Sequence, residues 1–232
     1  MDINIHTLKE NDDSESIIIT INDFFDRKEN DEILHNLDDT KIWHKGFAFG
    51  REIPRLQRWY HIENKPFSPF WKQSYKRWDS NEYEKWLLQF QMDTQDKLQK
   101  ILQPIRKKHP CLKEINFNSV LINKYRTGKD YIRQHRDDEM IFNDNPSIVS
   151  VSFGVKRRFL MRRVIYDVNN PKKMKYNDKE EHLNLDIELD HGTVLIMGGS
   201  SQKYFSHGVP IDMNCKKTRY NLTFRHTNPI IL

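Results

Sequence analysis

His135-Arg136-Asp137 is the stretch whose residue types are best suited to chemistry. On an extended chain, residues two apart project to the same side. The imidazole and the carboxylate could therefore grip one cation. A third ligand must come from elsewhere. His207, which follows a Gly- and Ser-rich loop, is the preferred candidate. His191 is its rival, although Asp190-His191-Gly192 reads as a tight turn between strands. Two histidines and one carboxylate on one side of a metal form the facial arrangement of non-haem Fe(II) oxygenases, which leaves positions open for a co-substrate and O2. An H-x-D alone is less specific, since zinc hydrolases and plain surface pairs also contain it.

A second stretch adds to the first. In Arg219-Tyr220-Asn221-Leu222-Thr223-Phe224-Arg225, a β-strand would place Arg219, Asn221, Thr223 and Arg225 on one face and the apolar residues on the other. Two guanidinium groups cannot be buried without anionic partners. Their planar donors suit a carboxylate gripped through two hydrogen bonds. The strand thus either lines a cavity that holds a small acid or is an edge strand with one wet face. Asn123-Lys124-Tyr125 offers an amide and a phenol at strand spacing for the same acid. A 2-oxo acid would chelate an iron through its oxo group and first carboxylate, with an arginine on its distal carboxylate.

The rest of the chain must position these groups. With 232 residues, 37% hydrophobic and 31% charged, it is long enough for one domain with a real core. No apolar run approaches a membrane span, and the N-terminus lacks a secretory pattern. Cys111 and Cys215 make no disulfide framework. The expectation is therefore an intracellular, reducing compartment, nucleus or cytoplasm, and a monomer. The net charge of +5 is clustered, as in Arg106-Lys107-Lys108 and Lys156-Arg157-Arg158, and such clusters can neutralise phosphates.

In order, residues 1–15 read as a flexible lead-in. Ser16 to Ile21 reads as a strand, and Asn22-Asp23 as the cap of a helix from Phe24 to Leu37. Residues 41–62 interleave aromatic and basic side chains around Gly46 and Gly50, as in a hairpin suited to base stacking and phosphate contact or one with an aromatic core face. A Pro- and aromatic-rich loop covers 64–79. Ser80 then caps a helix to Leu102, and Pro104 and Pro110 bracket a basic loop. From Phe117 onward the signal is short strands: Phe117 to Tyr125, Ser147 to Phe153, Arg158 to Arg163, His182 to Leu189, Gly192 to Met197 and Arg219 to Arg225. Many short strands parted by turn residues predict a sandwich, barrel or jelly roll.

N-x-Y, H-x-D, a distant His and R-x-N-x-T-x-R, in that order, resemble the AlkB family of Fe(II)- and 2-oxoglutarate-dependent dioxygenases. His135-Arg136-Asp137-Asp138-Glu139, Ser150-Val151-Ser152-Phe153-Gly154 and Pro54-Arg55-Leu56-Gln57 with Trp59-Tyr60 look most like its nuclear DNA-repair members. The resemblance covers about residues 16–228. It implies a mainly β, α+β fold: a double-stranded β-helix (jelly roll) core over 116–232, with helices and a nucleotide-recognition lid over 16–115. It implies that His135, Asp137 and His207 bind Fe(II), with Arg225 beside them. Arg219 would hold the distal carboxylate of 2-oxoglutarate. Asn123, Tyr125, Asn221, Thr223 and Arg225 would hold the rest of it or support the iron. The activity implied is oxidative demethylation of 1-methyladenine and 3-methylcytosine in DNA, with RNA as a second nucleic acid, releasing succinate, CO2 and formaldehyde.

These cationic bases would suit the acidic Asp138 and Glu139, and the base must leave the stack to react. Phe49-Gly50 matches the wedge position of duplex-acting relatives. Arg55 would steady the flipped nucleotide, and Tyr75 and Trp78 stand in for the family's stacking aromatics. Lys172, Lys173, Lys216 and Lys217 would meet phosphates. Two alternatives stand beside this: an oxygenase acting on RNA, protein or lipid, and a nucleic-acid-binding module without activity.

Overall fold

The computed structural model describes residues 1–11, 14–48, 51–67, 78–137, 146–167, 170–176 and 178–228. Two antiparallel sheets face each other as a jelly roll. The larger joins β1 (Asp2–Asn11), β2 (Ser14–Asn22), β3 (His44–Ala48), β4 (Arg51–His61), β5 (Ser119–Tyr125), β7 (Ile148–Gly154), β11 (Val194–Gly199) and β13 (Arg219–Arg225), in the order β1-β2-β11-β7-β13-β5-β4-β3. The smaller joins β6 (Ile132–His135), β8 (Arg157–Asp167), β10 (Leu185–Leu189) and β12 (Phe205–Val209) in the order β10-β8-β12-β6, with β9 (Asn170–Tyr176) paired to β8.

Alternation along β13 decides which side is which. Tyr220, Leu222 and Phe224 are fully buried on the outer face of the large sheet, in one cluster with Ile17, Ile19 and Ile21 of β2 and Val149 and Val151 of β7. Two helices close that face: α1 (Arg27–Asp39) contributes Ile33 and Leu37, and α2 (Lys85–Lys108) contributes Leu87, Phe90, Leu98 and Leu102. Each such aliphatic side chain contributes about 1.5–3 kcal/mol on burial. The face between the sheets has a smaller core of Ile18, Ile148, Phe159, Met161, Leu195 and Met197 with their neighbours. Next to it, the inward row of β13 is polar. The layer that could have been wholly apolar is thus interrupted where the site lies.

Four expectations are corrected. Residues 2–11, expected within a flexible lead-in, form β1. Ile3, Ile5 and Thr7 stand opposite Ile21, Ile19 and Ile17, so the strand extends an apolar row, and Leu8 packs against the inner core. The first helix is capped by Asp26, not Asn22-Asp23: the Asp26 carboxylate accepts from the Glu29 N–H at 2.8 Å, and Glu29 accepts in return from the Asp26 N–H at 2.7 Å. That reciprocal pair outbids an earlier start. Ser80 does not cap the long helix; its hydroxyl accepts from the His61 N–H at 2.9 Å, and the helix begins at Lys85. Pro104 lies inside that helix, so Arg106-Lys107-Lys108 are its last turn and not a loop. Three cations there oppose the partial negative charge of the terminal carbonyls, and the His109 N–H closes on the Ile105 carbonyl at 2.8 Å.

Candidate active site

The polar row is a consequence of register. Arg219 stands opposite Tyr125 of β5 and Gly154 of β7, Asn221 opposite Asn123 and Ser152, and Thr223 opposite Leu121 and Ser150. Directly opposed residues share a face, so all of these point between the sheets. The smaller sheet supplies the other wall, where His135 of β6 is the cross-strand partner of His207 of β12. Asn123, Tyr125, Asn221 and Thr223 of this row, with His135 and His207, line a cavity of about 300 Å³, and Arg219 lies beyond that lining.

At one end of it, the ligand atoms of His135, Asp137 and His207 lie within 4.8 Å of one another. The two imidazole centroids are 4.4 Å apart, and His135 Nε2 is 3.9 Å from Asp137 Oδ1. The His135 Nδ1 is 2.9 Å from the Arg133 carbonyl. That contact fixes the proton on Nδ1 and leaves the Nε2 lone pair for a metal. His207 is held by Phe159, whose ring stacks on it at 5.4 Å. Burial, reinforced by His135, lowers the His207 pKa to about 3, and burial lowers that of His135 as well. Both imidazoles are therefore neutral at neutral pH, the form that ligates metals. Burial works against an ionised Asp137, but the Arg225 guanidinium outweighs it and holds its carboxyl below the ordinary range. Arg225 Nη2 donates to both Asp137 oxygens at 3.0 Å, and the Asp137 N–H donates to Gln202 Oε1 at 3.1 Å.

Arg219 is at the opposite end of β13 and is 1% exposed. Its Nη2 donates to Ser152 Oγ at 2.8 Å, whereas Nε and Nη1 are buried with no hydrogen-bond partner among the described residues. Burial, reinforced by the nearby Arg157, pulls its pKa to about 10. Buried donors left unmade cost free energy, and a carboxylate is the group that two adjacent guanidinium N–H bonds fit. The Tyr125 ring centroid is 5.3 Å from the Arg219 guanidinium and 5.8 Å from that of the buried Arg157. Asn123 Oδ1 already accepts from Arg55 Nε at 2.9 Å and Gln57 Nε2 at 3.0 Å, which turns its amide N–H groups toward the cavity. The residues therefore suit both groups expected here: a dication between two neutral imidazoles and a carboxylate, and a dicarboxylic acid reaching toward Arg219.

The family model described as the 2OG-Fe(II) oxygenase superfamily matches residues 18–225. The chain belongs to that superfamily. Curated relatives point within it to AlkB proteins. "DNA oxidative demethylase ALKBH2" of Arabidopsis thaliana is 36% identical over 55% of this chain and 42% of its own length. "Alpha-ketoglutarate-dependent dioxygenase alkB homolog 3" of Mus musculus, and the protein of that name from Homo sapiens, are each 31% identical over 89% of this chain and 64% of their own length. This chain thus spans between about two fifths and two thirds of the relatives it matches. The solved structure of OsALKBH1 shares the fold, with a TM-score of 0.56 at 17% identity over 90% of this chain and 97% of that one.

The other expected site residues divide. Asn221 and Thr223 both line the cavity, where Asn221 Nδ2 donates to Ser150 Oγ at 2.6 Å and its Oδ1 accepts from Thr223 Oγ1 at 3.4 Å. Arg55 lines the cavity while holding Asn123, a fixed element of the wall more than a mobile clamp. Trp78 lines the cavity too, but it is 7% exposed and stacks on Phe67 at 4.4 Å. His191 is excluded as a ligand: its Nδ1 accepts from the Gly154 N–H at 3.1 Å, at the end of β7 beside Arg219. Lys216 and Lys217 are exposed beyond the Arg219 end of β13, about 20 Å along the strand from the end beside Asp137, and line a different cavity. Phe49, Gly50, Tyr75, Asp138 and Glu139 lie outside the described residues, as do the side chains of Lys172 and Lys173. Sequence reasoning missed Gln57, Gln202 and Phe67. Only Gln57 carried a signal, standing one alternate position from Arg55 on a strand that faces Asn123.

Proposed function

We propose that the chain is an oxidative demethylase of N-alkylated bases, 1-methyladenine and 3-methylcytosine, in DNA and secondarily in RNA. The observation that carries the oxygenase chemistry is the convergence of His135, Asp137 and His207 within 4.8 Å at one end of a strand whose other end holds Arg219, with Nε and Nη1 buried and without a hydrogen-bond partner among the described residues. The nucleic-acid substrate is supported by the AlkB relatives, whose names include DNA oxidative demethylases. His135, Asp137 and His207 would hold Fe(II), and Arg219, with Tyr125 and Asn123, would hold 2-oxoglutarate. When bound, these groups and O2 supply the oxidation: one oxygen atom goes to the co-substrate, which leaves as succinate and CO2, and the other enters the N-methyl group. The cationic N-hydroxymethyl product then loses formaldehyde and a proton and leaves the neutral, unmodified base.

The protein's own residues do the positioning. Arg225 keeps Asp137 ionised, the Arg133 carbonyl sets the His135 tautomer, and Gln202 fixes the backbone at Asp137. Phe67, Trp78 and Leu121 give the cavity an apolar wall that excludes water from one side. The two free cysteines suit a reducing, intracellular compartment. The test is incubation with Fe(II), 2-oxoglutarate and oligonucleotides carrying each lesion, in DNA and in RNA. Formaldehyde release in step with succinate is expected. Succinate without any loss of methyl from either nucleic acid would move the substrate to another class of molecule.

A further inference from the structure

Arg157 is a buried charge that the demethylase reading does not use. It opens β8 and is 2% exposed. It donates to three backbone carbonyls: Nη1 to Thr127 at 3.3 Å, and Nη2 to Asp130 at 3.0 Å and Pro210 at 2.6 Å. Asp130, the carboxylate that feels Arg157, is gripped by Arg126, whose Nε and Nη2 donate to it at 2.8 and 2.9 Å. Carbonyls are dipoles and not charges, so Arg157 keeps its positive charge inside the protein without an anion bonded to it. Such a charge is costly and draws a negative partner.

Arg219 is a second charge of the same kind, bonded to the Ser152 hydroxyl. Both guanidiniums approach one ring, that of Tyr125, so their separation cannot exceed the sum of their distances to it. Two like charges are thus held close together at the end of β13 where an acid would place its far carboxylate. At an effective dielectric of about 20, a unit charge about 10 Å away changes the affinity for an anion roughly tenfold.

We propose that Arg157 is a positioning residue for the co-substrate acid. Arg219 makes the contact, and Arg157 supplies from beside Tyr125 a second positive charge that sets the preference for a 2-oxo acid ending in another carboxylate. The inference rests on the oxygenase reading of the site and adds a residue that selects among 2-oxo acids without touching them. An Arg157 that only tied the β5–β6 turn to the exit of β12 would act on every acid alike.

The test reads binding and not turnover. The full chain with Mn(II), without oxygen, is titrated in a calorimeter with 2-oxoglutarate and with 2-oxopentanoate, in which a methyl group replaces the distal carboxylate. Arg157→Met should weaken 2-oxoglutarate about tenfold and leave 2-oxopentanoate and Mn(II) affinity unchanged. Arg157→Lys, which keeps the charge, should recover most of that loss. Equal weakening of both acids, a lysine variant as weak as the methionine one, or a methionine variant that binds 2-oxoglutarate like the parent overturns the proposal. Since Arg157→Met also gives up three hydrogen bonds, a second measurement avoids it. The metal-free parent and Arg157→Lys are melted with glutarate or with pentanoate. Glutarate should raise both melting temperatures and pentanoate neither; glutarate without effect on the parent, or on the lysine variant alone, also overturns it. Acid binding that follows these shifts, while methylated oligonucleotides yield no formaldehyde, supports the role of Arg157 and sinks the demethylase reading, so the two fail separately.

Discussion

At the residue scale, Asp137 has two tasks. In the proposed site it would offer an oxygen to the metal, and it neutralises Arg225 in a setting where each side chain is under a tenth exposed. Breaking a buried pair by removing one partner costs about 3–5 kcal/mol. Asp137→Ala should therefore lose one-to-one Mn(II) binding in calorimetry and also unfold at lower denaturant. Retention of full metal affinity would show that the third ligand is another group. Arg219 allows a separate test. Arg219→Gln removes the charge from a buried site built around it, and such a loss costs about 2–5 kcal/mol of binding. The KM for 2-oxoglutarate should rise at least about tenfold with the metal affinity unchanged. An unaltered KM would put the anchor of the co-substrate elsewhere.

At the scale of elements, β13 separates stability from chemistry by one residue. Leu222 is fully buried among helix side chains, and Leu222→Ala should cost about 2–5 kcal/mol in denaturant unfolding while leaving the KM for 2-oxoglutarate near its parent value. Its neighbour Thr223 faces the cavity, so Thr223→Ala should cost less stability and act on co-substrate binding. The reverse pattern would mean that the strand faces the other way. This strand was legible to the residue because its alternation is uninterrupted and its polar half contains two arginines, which admit few burials. β1 was not, because it is an edge strand whose wet face dilutes the pattern of Ile3, Ile5 and Leu8 with Asp, Asn and Lys. The strand bearing His207 was hidden for another reason: Ser206 and Gly208 flank the ligand, and small residues carry little β signal. His207 was found by its chemistry and not by its element. Gln202 and Phe67 could not be found at all, since what they touch is decided by how loops return to the sheets.

At the scale of the whole molecule, the site sets the protein's response to acid. An unfolded imidazole takes up a proton near pH 6.5, whereas buried His207 does so only near 3. Below pH 6.5 the unfolded chain binds a proton that the folded chain refuses. Stability present above that pH is then lost as pH falls, by about 1.4 kcal/mol per unit from this residue. Thermal melts of the metal-free protein should decline from pH 7 to pH 5, and His207→Gln should flatten that decline. An equally steep decline in the variant would assign the acid response to other groups.

The two imidazoles belong to one sheet, and the guanidinium that steadies their carboxylate neighbour belongs to the other. An ion seated there would be held by residues of the smaller sheet and the turn that follows it, and only the Asp137–Arg225 pair ties that set to the larger sheet. Parting of the layers would pull on the carboxylate and leave the imidazole pair in place, so the aspartate arm is where slackening of the barrel would first loosen a bound ion.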